Sequence, residues 1–116
     1  MSIIINYRTM TLPDNIEGLI QAQNEQDSTR FSQYFTANAT VSDEGASYSG
    51  RAEIEQWIQQ ATEKYQMQTK PIDYQQSDTS AVLTVEVTGT FPGSPIVLHY
   101  HLGLEDTLIR SLKITG

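Results

Sequence analysis

The sequence contains no cysteine. This excludes disulfide frameworks, thiol nucleophiles and cysteine-ligated zinc or iron–sulfur centres. Positive charge is also scarce: 7 Lys and Arg stand against 14 Asp and Glu, for a formal net charge of -7. An acidic chain without a Lys/Arg cluster repels phosphate, so no nucleic-acid partner is expected. No apolar run approaches the roughly 20 residues that a membrane-spanning helix needs, so no membrane partner is expected. No Gly-rich strand–turn–helix segment exists to cradle a phosphate. The first six residues carry only the apolar triplet Ile3, Ile4 and Ile5, with no basic start and no small-residue cleavage site, so a cytoplasmic location is the default expectation.

What the sequence does have is strong patterning along 116 residues, enough chain for a single domain over 1–116. Residues 1–11 read as an arm that docks on the fold or on a partner. Thr11-Leu12-Pro13-Asp14 reads as a helix start, with Thr11 as the cap and Asp14 and Glu17 at the positive end of the dipole. Ile16, Leu19 and Ile20 follow at helical spacing, and Gln23 continues the stripe. Asp27 or Ser28 caps a second, shorter helix with Phe31, Tyr34 and Phe35 on one face. Thr40 to Asp43 alternates as a short strand, and Glu44 to Ser49 is turn-rich. A third helix follows Arg51, its stripe built from Ile54, Trp57, Ile58, Ala61 and Tyr65. It must end before Pro71.

Beyond Met67 the period becomes two. Ile72 and Tyr74 mark one strand, and Ala81, Leu83, Val85 and Val87 form the apolar face of the next. A type II turn is expected at Pro92 to Pro95. That turn sets Phe91 against Ile96, Val87 against Tyr100, Val85 against Leu102 and Leu83 against Leu104, with Thr88 facing His99 and Glu86 facing His101 on the other side. Helices first and antiparallel strands later define an α+β chain, three helices packed in one curved sheet.

Leu12-Pro13, Asp27, Phe35-x-x-x-Ala39-Thr40-Val41-x-Asp43, Tyr48-x-Gly50 and Ile54-x-x-Trp57 occur in that order. Gly89-Thr90-Phe91-Pro92-Gly93-Ser94-Pro95, Leu98-x-Tyr100 and Ile109-x-x-Leu112-x-Ile114 follow. Together they resemble the NTF2-like superfamily in its small SnoaL-like branch, relatives of ketosteroid isomerase and the polyketide cyclases. The resemblance implies a cystatin-like α+β cone with a ligand pocket at its open end, and a homodimer through the outer sheet face. The superfamily holds enzymes and non-enzymatic modules alike, so fold alone does not decide function.

Asp43 lies where the resemblance to ketosteroid isomerase implies a general base. It shares a face with Val41, which aims it inward, and a carboxylate losing water at an apolar pocket becomes a base near neutral pH. The rival reading is a strand-end Asp bonded to turn amides. Tyr100 is the inward phenol on the late strand, a hydrogen-bond donor. The position on the first helix where the resemblance implies a second hydroxyl falls near Leu19, which has none, so the two-donor oxyanion site of that enzyme is incomplete. Tyr34, Tyr48, Trp57, Tyr65 and Leu98 are the expected pocket walls, each of which ordinary core packing would also explain. His99 and His101, with Glu86 opposite, have the residue types of a metal site but fall on the outward face, so no metal and no cofactor are expected. The function that follows is a pocket for a small apolar organic molecule, with Asp43-mediated proton transfer of the isomerase, cyclase or dehydratase type. The alternative is a non-catalytic ligand-binding or dimerisation module.

Overall fold

A computed structural model of the protein describes residues 11–116. The Ile3–Ile5 triplet lies outside the described residues. The elements are α1 (Asp14–Asn24), α2 (Ser28–Gln33), β1 (Phe35–Asp43), β2 (Ala46–Ser49), α3 (Gly50–Tyr65), β3 (Gln68–Ser77), β4 (Ser80–Thr88), β5 (Ile96–Glu105) and β6 (Leu108–Thr115). The strands form one six-stranded sheet in the order β2-β1-β6-β5-β4-β3. The chain is α+β with helices against a curved sheet, as the patterning predicts. One pair departs from antiparallel: β1 runs parallel to β6.

Local chemistry explains the element ends and corrects several expectations. Thr11 does not cap α1. Pro13 holds the N-cap position, where its carbonyl accepts from the amides of Ile16 and Glu17 at 3.0 and 2.9 Å. Asp27 does cap α2, accepting from the Arg30 amide at 3.1 Å. The expected helical stripe of Phe31, Tyr34 and Phe35 splits in two. Tyr34 closes α2, and Phe35 already belongs to β1, paired with Ile109 of β6. Strand pairing over the β-prone stretch to Asp43 outweighs continuation of a six-residue helix. The turn-rich stretch holds a hairpin strand instead of loop alone. Glu44 and Gly45 both take positive φ (52° and 80°), the conformation of a two-residue hairpin turn, and return the chain as β2.

Helix α3 ends at Gln66, which sits in the left-handed region with its amide bonded to the Thr62 carbonyl at 2.9 Å. Its buried face is Ile54, Trp57, Ile58 and Thr62; the Thr62 hydroxyl donates to the Ile58 carbonyl at 2.9 Å. Ala61 and Tyr65 are only half-buried, because they face a cavity rather than core.

The β4–β5 hairpin keeps the expected faces in a different register. Val87 pairs with Ile96, Val85 with Leu98, Leu83 with Tyr100 and Ala81 with Leu102. Thr84 faces His99, Val82 faces His101, and Glu86 faces Val97, so the Glu86–His101 pairing does not form. The connection is longer than four residues: it runs from Gly89 to Pro95 and is tied to α3, with the Thr90 amide bonded to the Tyr65 carbonyl at 2.8 Å. Phe91 packs edge-on against the Tyr65 ring at 5.8 Å instead of facing Ile96. Because the displacement is an even number of residues, every side chain stays on its expected face.

The core joins Ile16, Leu19, Phe31, Phe35 and Ile54 from the first half of the chain to Leu83, Val85, Ile109 and Leu112 from the sheet. At the bulge between Pro71 and Asp73, Ile72 drops out of the ladder and is 45% exposed.

Candidate functional site

A cavity of about 790 Å³ opens between α3, the β1–β2 turn and the inner face of the late strands. Asp43, Glu44, Ala46 and Tyr48 line it from the first hairpin, and Trp57, Ile58, Ala61, Lys64 and Tyr65 from α3. Val87, Phe91, Ile96, Leu98, Tyr100 and Ile114 contribute from the sheet and its loop, and Gln23 from α1. A second depression, about 470 Å³, lies between α1 and the start of β3 and is ringed by Glu17, Gln21, Asn24, Glu25 and Gln68.

Asp43 ends β1 one residue before the tight turn, so its side chain leaves the sheet at the cavity mouth. Burial there raises its pKa, the nearby Glu44 carboxylate raises it further, and hydrogen bonding from the Trp57 side chain pulls it partly back. The Trp57 ring stacks on Tyr48 at 5.8 Å and touches Phe31 at 6.2 Å, which fixes the indole between core and cavity. The first hairpin and α3 thus jointly set the environment of one carboxylate.

Tyr100 sits deeper, 3% exposed on β5. Burial above all pushes its phenol up to about 12, and the Asp43 charge pushes in the same direction. Hydrogen bonds involving Gln23 and Thr69 act the other way. The Gln23 Nε2 donates to the phenol oxygen at 3.1 Å, and the phenol lies 3.4 Å from Gln23 Oε1. At neutral pH this phenol is a hydrogen-bond donor and not a base.

The structure brings together Asp43, Tyr48, Trp57, Tyr65, Leu98 and Tyr100 around one space. Tyr34 is elsewhere. Its ring lies across Gly18 of α1, where any β-carbon would overlap the hydroxyl, and it packs the α1–α2 corner instead of a cavity wall. Leu19 is fully buried, so α1 gives no hydroxyl at that position. One turn further on, Gln23 lines the cavity. Sequence reasoning had only its place in the apolar stripe, yet an amide on a buried helix face needs a partner, and that was its signal. Ser32, Thr62 and Thr69 are further buried polar residues that pattern reading passed over, and none of them lines the cavity.

His99 and His101 lie on the opposite face from Tyr100. They contact Thr84 Oγ1 and Thr115 Oγ1 at 3.1 and 2.9 Å. Among the described residues no group of three or more His, Asp or Glu is placed to hold a metal ion. Among the same residues no helix is long and apolar enough to cross a membrane.

A curved sheet and helices that enclose one open cavity define a class of pocket-bearing α+β folds. Comparison with known proteins places the chain within it. The model of the SnoaL-like domain matches residues 16–109, and the chain belongs to that family. A crystal structure of a candidate polyketide cyclase from Sinorhizobium meliloti is 31% identical, with a TM-score of 0.85 over 90% of this chain and 95% of that one. A protein of ketosteroid isomerase-like fold from Catenulispora acidiphila, crystallised with trimethylamine, is 17% identical, with a TM-score of 0.82 over 91% of this chain and 87% of that one. A cystatin-fold protein from Novosphingobium aromaticivorans superposes with a TM-score of 0.75 at 20% identity, over 89% of this chain and 96% of that one. No curated protein matches the sequence.

Proposed function

We propose that the cavity binds a small, largely apolar organic molecule and that Asp43 moves a proton on it without a cofactor. The observation that carries this reading is the half-buried Asp43 carboxylate, its pKa raised by lost solvation, in a cavity with largely aromatic and aliphatic walls. Asp43 takes a proton from carbon next to a carbonyl group, and the electron pair moves onto the carbonyl oxygen. Tyr100, held protonated, donates a hydrogen bond to that oxygen. Returning the proton to another carbon is isomerisation; attack of the enolate carbon on a second carbonyl is cyclisation. The name of the Sinorhizobium meliloti relative is consistent with this chemistry.

The test is exchange of the C2 hydrogens of 1-indanone into D2O, followed by proton NMR. Exchange catalysed by the wild-type protein and reduced about 100-fold or more in Asp43→Asn is the expected result, the scale of general-base catalysis. Equal exchange by both proteins overturns the base assignment.

A second reading, a binding or dimerisation module without turnover, has one observation in its favour: the fully buried Leu19 denies α1 a second hydroxyl. Binding of 1-indanone without exchange would establish it. A homodimer is part of the same proposal. Its basis is the outer sheet surface near His99 and His101, where Val97 is 43% exposed. Sedimentation at micromolar concentration tests it, a monomer counting against. A cytoplasmic setting is likewise proposed.

A further inference from the structure

The cavity differs from one end to the other. The two carboxylates that line it, Asp43 and Glu44, both belong to the first hairpin. In that hairpin Val41, which shares a face with Asp43, pairs with Tyr48. The Tyr48 ring in turn stacks on Trp57 at 5.8 Å, so this end holds the acid groups and the indole. Tyr65 lies just over two turns further along α3 than Trp57, about 12 Å by the rise of an α-helix. The walls there are Tyr65, Met67, Phe91 and Ile96. None of the four is fully buried, and Ile96 is 39% exposed.

The loop between β4 and β5 builds this second end. Tyr65 is the last residue of α3, where helix carbonyls lack partners within the helix. Thr90 supplies two: its amide donates to the Tyr65 carbonyl at 2.8 Å and its hydroxyl donates to the same oxygen at 3.1 Å. Gly89 permits this approach, because a β-carbon there would stand 2.6 Å from that oxygen and 3.0 Å from the Phe91 ring. The Gly89 amide donates to Ser94 Oγ at 3.0 Å, which closes the loop on itself. Phe91 is thereby held edge-on to Tyr65, with ring centroids 5.8 Å apart. Two rings fixed by main-chain bonds, and left partly uncovered, present a preformed apolar wall. Covering such a wall is favourable by about 25 cal/mol per Å² of apolar surface.

We propose that Tyr65 and Phe91 form a distal subsite for an aromatic ring of the ligand, about 12 Å along the cavity from the group that Asp43 acts on. The ligand is accordingly an elongated molecule, polar where it meets Asp43 and aromatic where it meets the loop. This rests on the reading of the cavity as a ligand site and adds its length and its far end.

The probes are 1-indanone, which is too short to reach both ends, and 5-phenyl-1-indanone, whose added ring lies opposite the carbonyl. Both are titrated by NMR against wild type, Phe91→Ala and Tyr65→Leu. Wild type binds the phenyl-bearing ketone about tenfold or more tighter than 1-indanone. Phe91→Ala brings that ratio down to about threefold or less, and Tyr65→Leu lowers it as well. In wild type, nuclear Overhauser contacts run from the terminal phenyl to the Phe91 and Tyr65 rings and from the five-membered ring to Trp57, a readout that needs no variant to fold. Contacts from the terminal phenyl to Trp57 instead, or an unchanged ratio in Phe91→Ala, overturn the subsite and leave the cavity a ligand site. Binding of neither ketone at millimolar concentration overturns the ligand site itself.

Discussion

Gln23 and Tyr100 are 77 residues apart in the chain and meet at 3.1 Å in the interior. The contact joins the first helix to the fifth strand through two polar groups, each almost wholly removed from water. It therefore ties the packing of α1 to the orientation of the phenol. Four predictions follow from this contact and from the Asp43 environment above it.

Tyr100→Phe keeps the ring and removes the oxygen that Gln23 bonds. Leaving a buried amide without its partner is expected to destabilise the protein by about 1–3 kcal/mol. Urea denaturation read by Trp57 fluorescence measures it. The same variant should lose the tyrosine absorbance change that appears near pH 12.

Asp43 gives a pH dependence whose sign is fixed. Its folded pKa lies above the ordinary value of 3.8 because burial disfavours the charge. The folded state therefore holds this proton more tightly than the unfolded state. The group's relative contribution is favourable below pH 3.8 and is lost as pH rises through the raised folded value. Asp43→Asn removes the penalty, so its melting temperature should exceed that of wild type at pH 7 and match it at pH 3. A lower melting temperature at pH 7 would instead mark the carboxylate as a structural anchor.

Trp57→Phe tests the indole's hold on Asp43. Loss of a hydrogen bond to the charged form raises the carboxyl pKa further, and carboxyl-carbon NMR titration reads the change directly. An Asp43 value that does not move in this variant would separate the two residues.

Leu83 is fully buried on β4 and pairs with Tyr100. Leu83→Ala should cost about 2–5 kcal/mol by transfer and cavity terms, measured by denaturant unfolding. Its effect on the phenol titration should be smaller than that of Gln23→Leu, because it removes packing and no hydrogen bond.

The sequence by itself determined which residues face inward. Period two beyond Met67 and the 3.6 period over Ile54 to Tyr65 are local properties of strands and helices. They carried the fold class, the inward aim of Tyr100 and the outward aim of His99 and His101, and parity with Val41 gave the inward aim of Asp43. Even the wrong hairpin register kept those faces, because an even displacement preserves parity. Tertiary structure decided everything that depends on which distant groups meet. The Thr90–Tyr65 bond lengthened the hairpin loop, Gly18 drew Tyr34 away from the cavity, and α1 brought Gln23 to Tyr100. A periodic pattern says that a side chain points to the interior. Only three-dimensional packing says what it finds there, because hydrogen bonds act over about 3 Å between atoms whose separation along the chain places no limit on their approach.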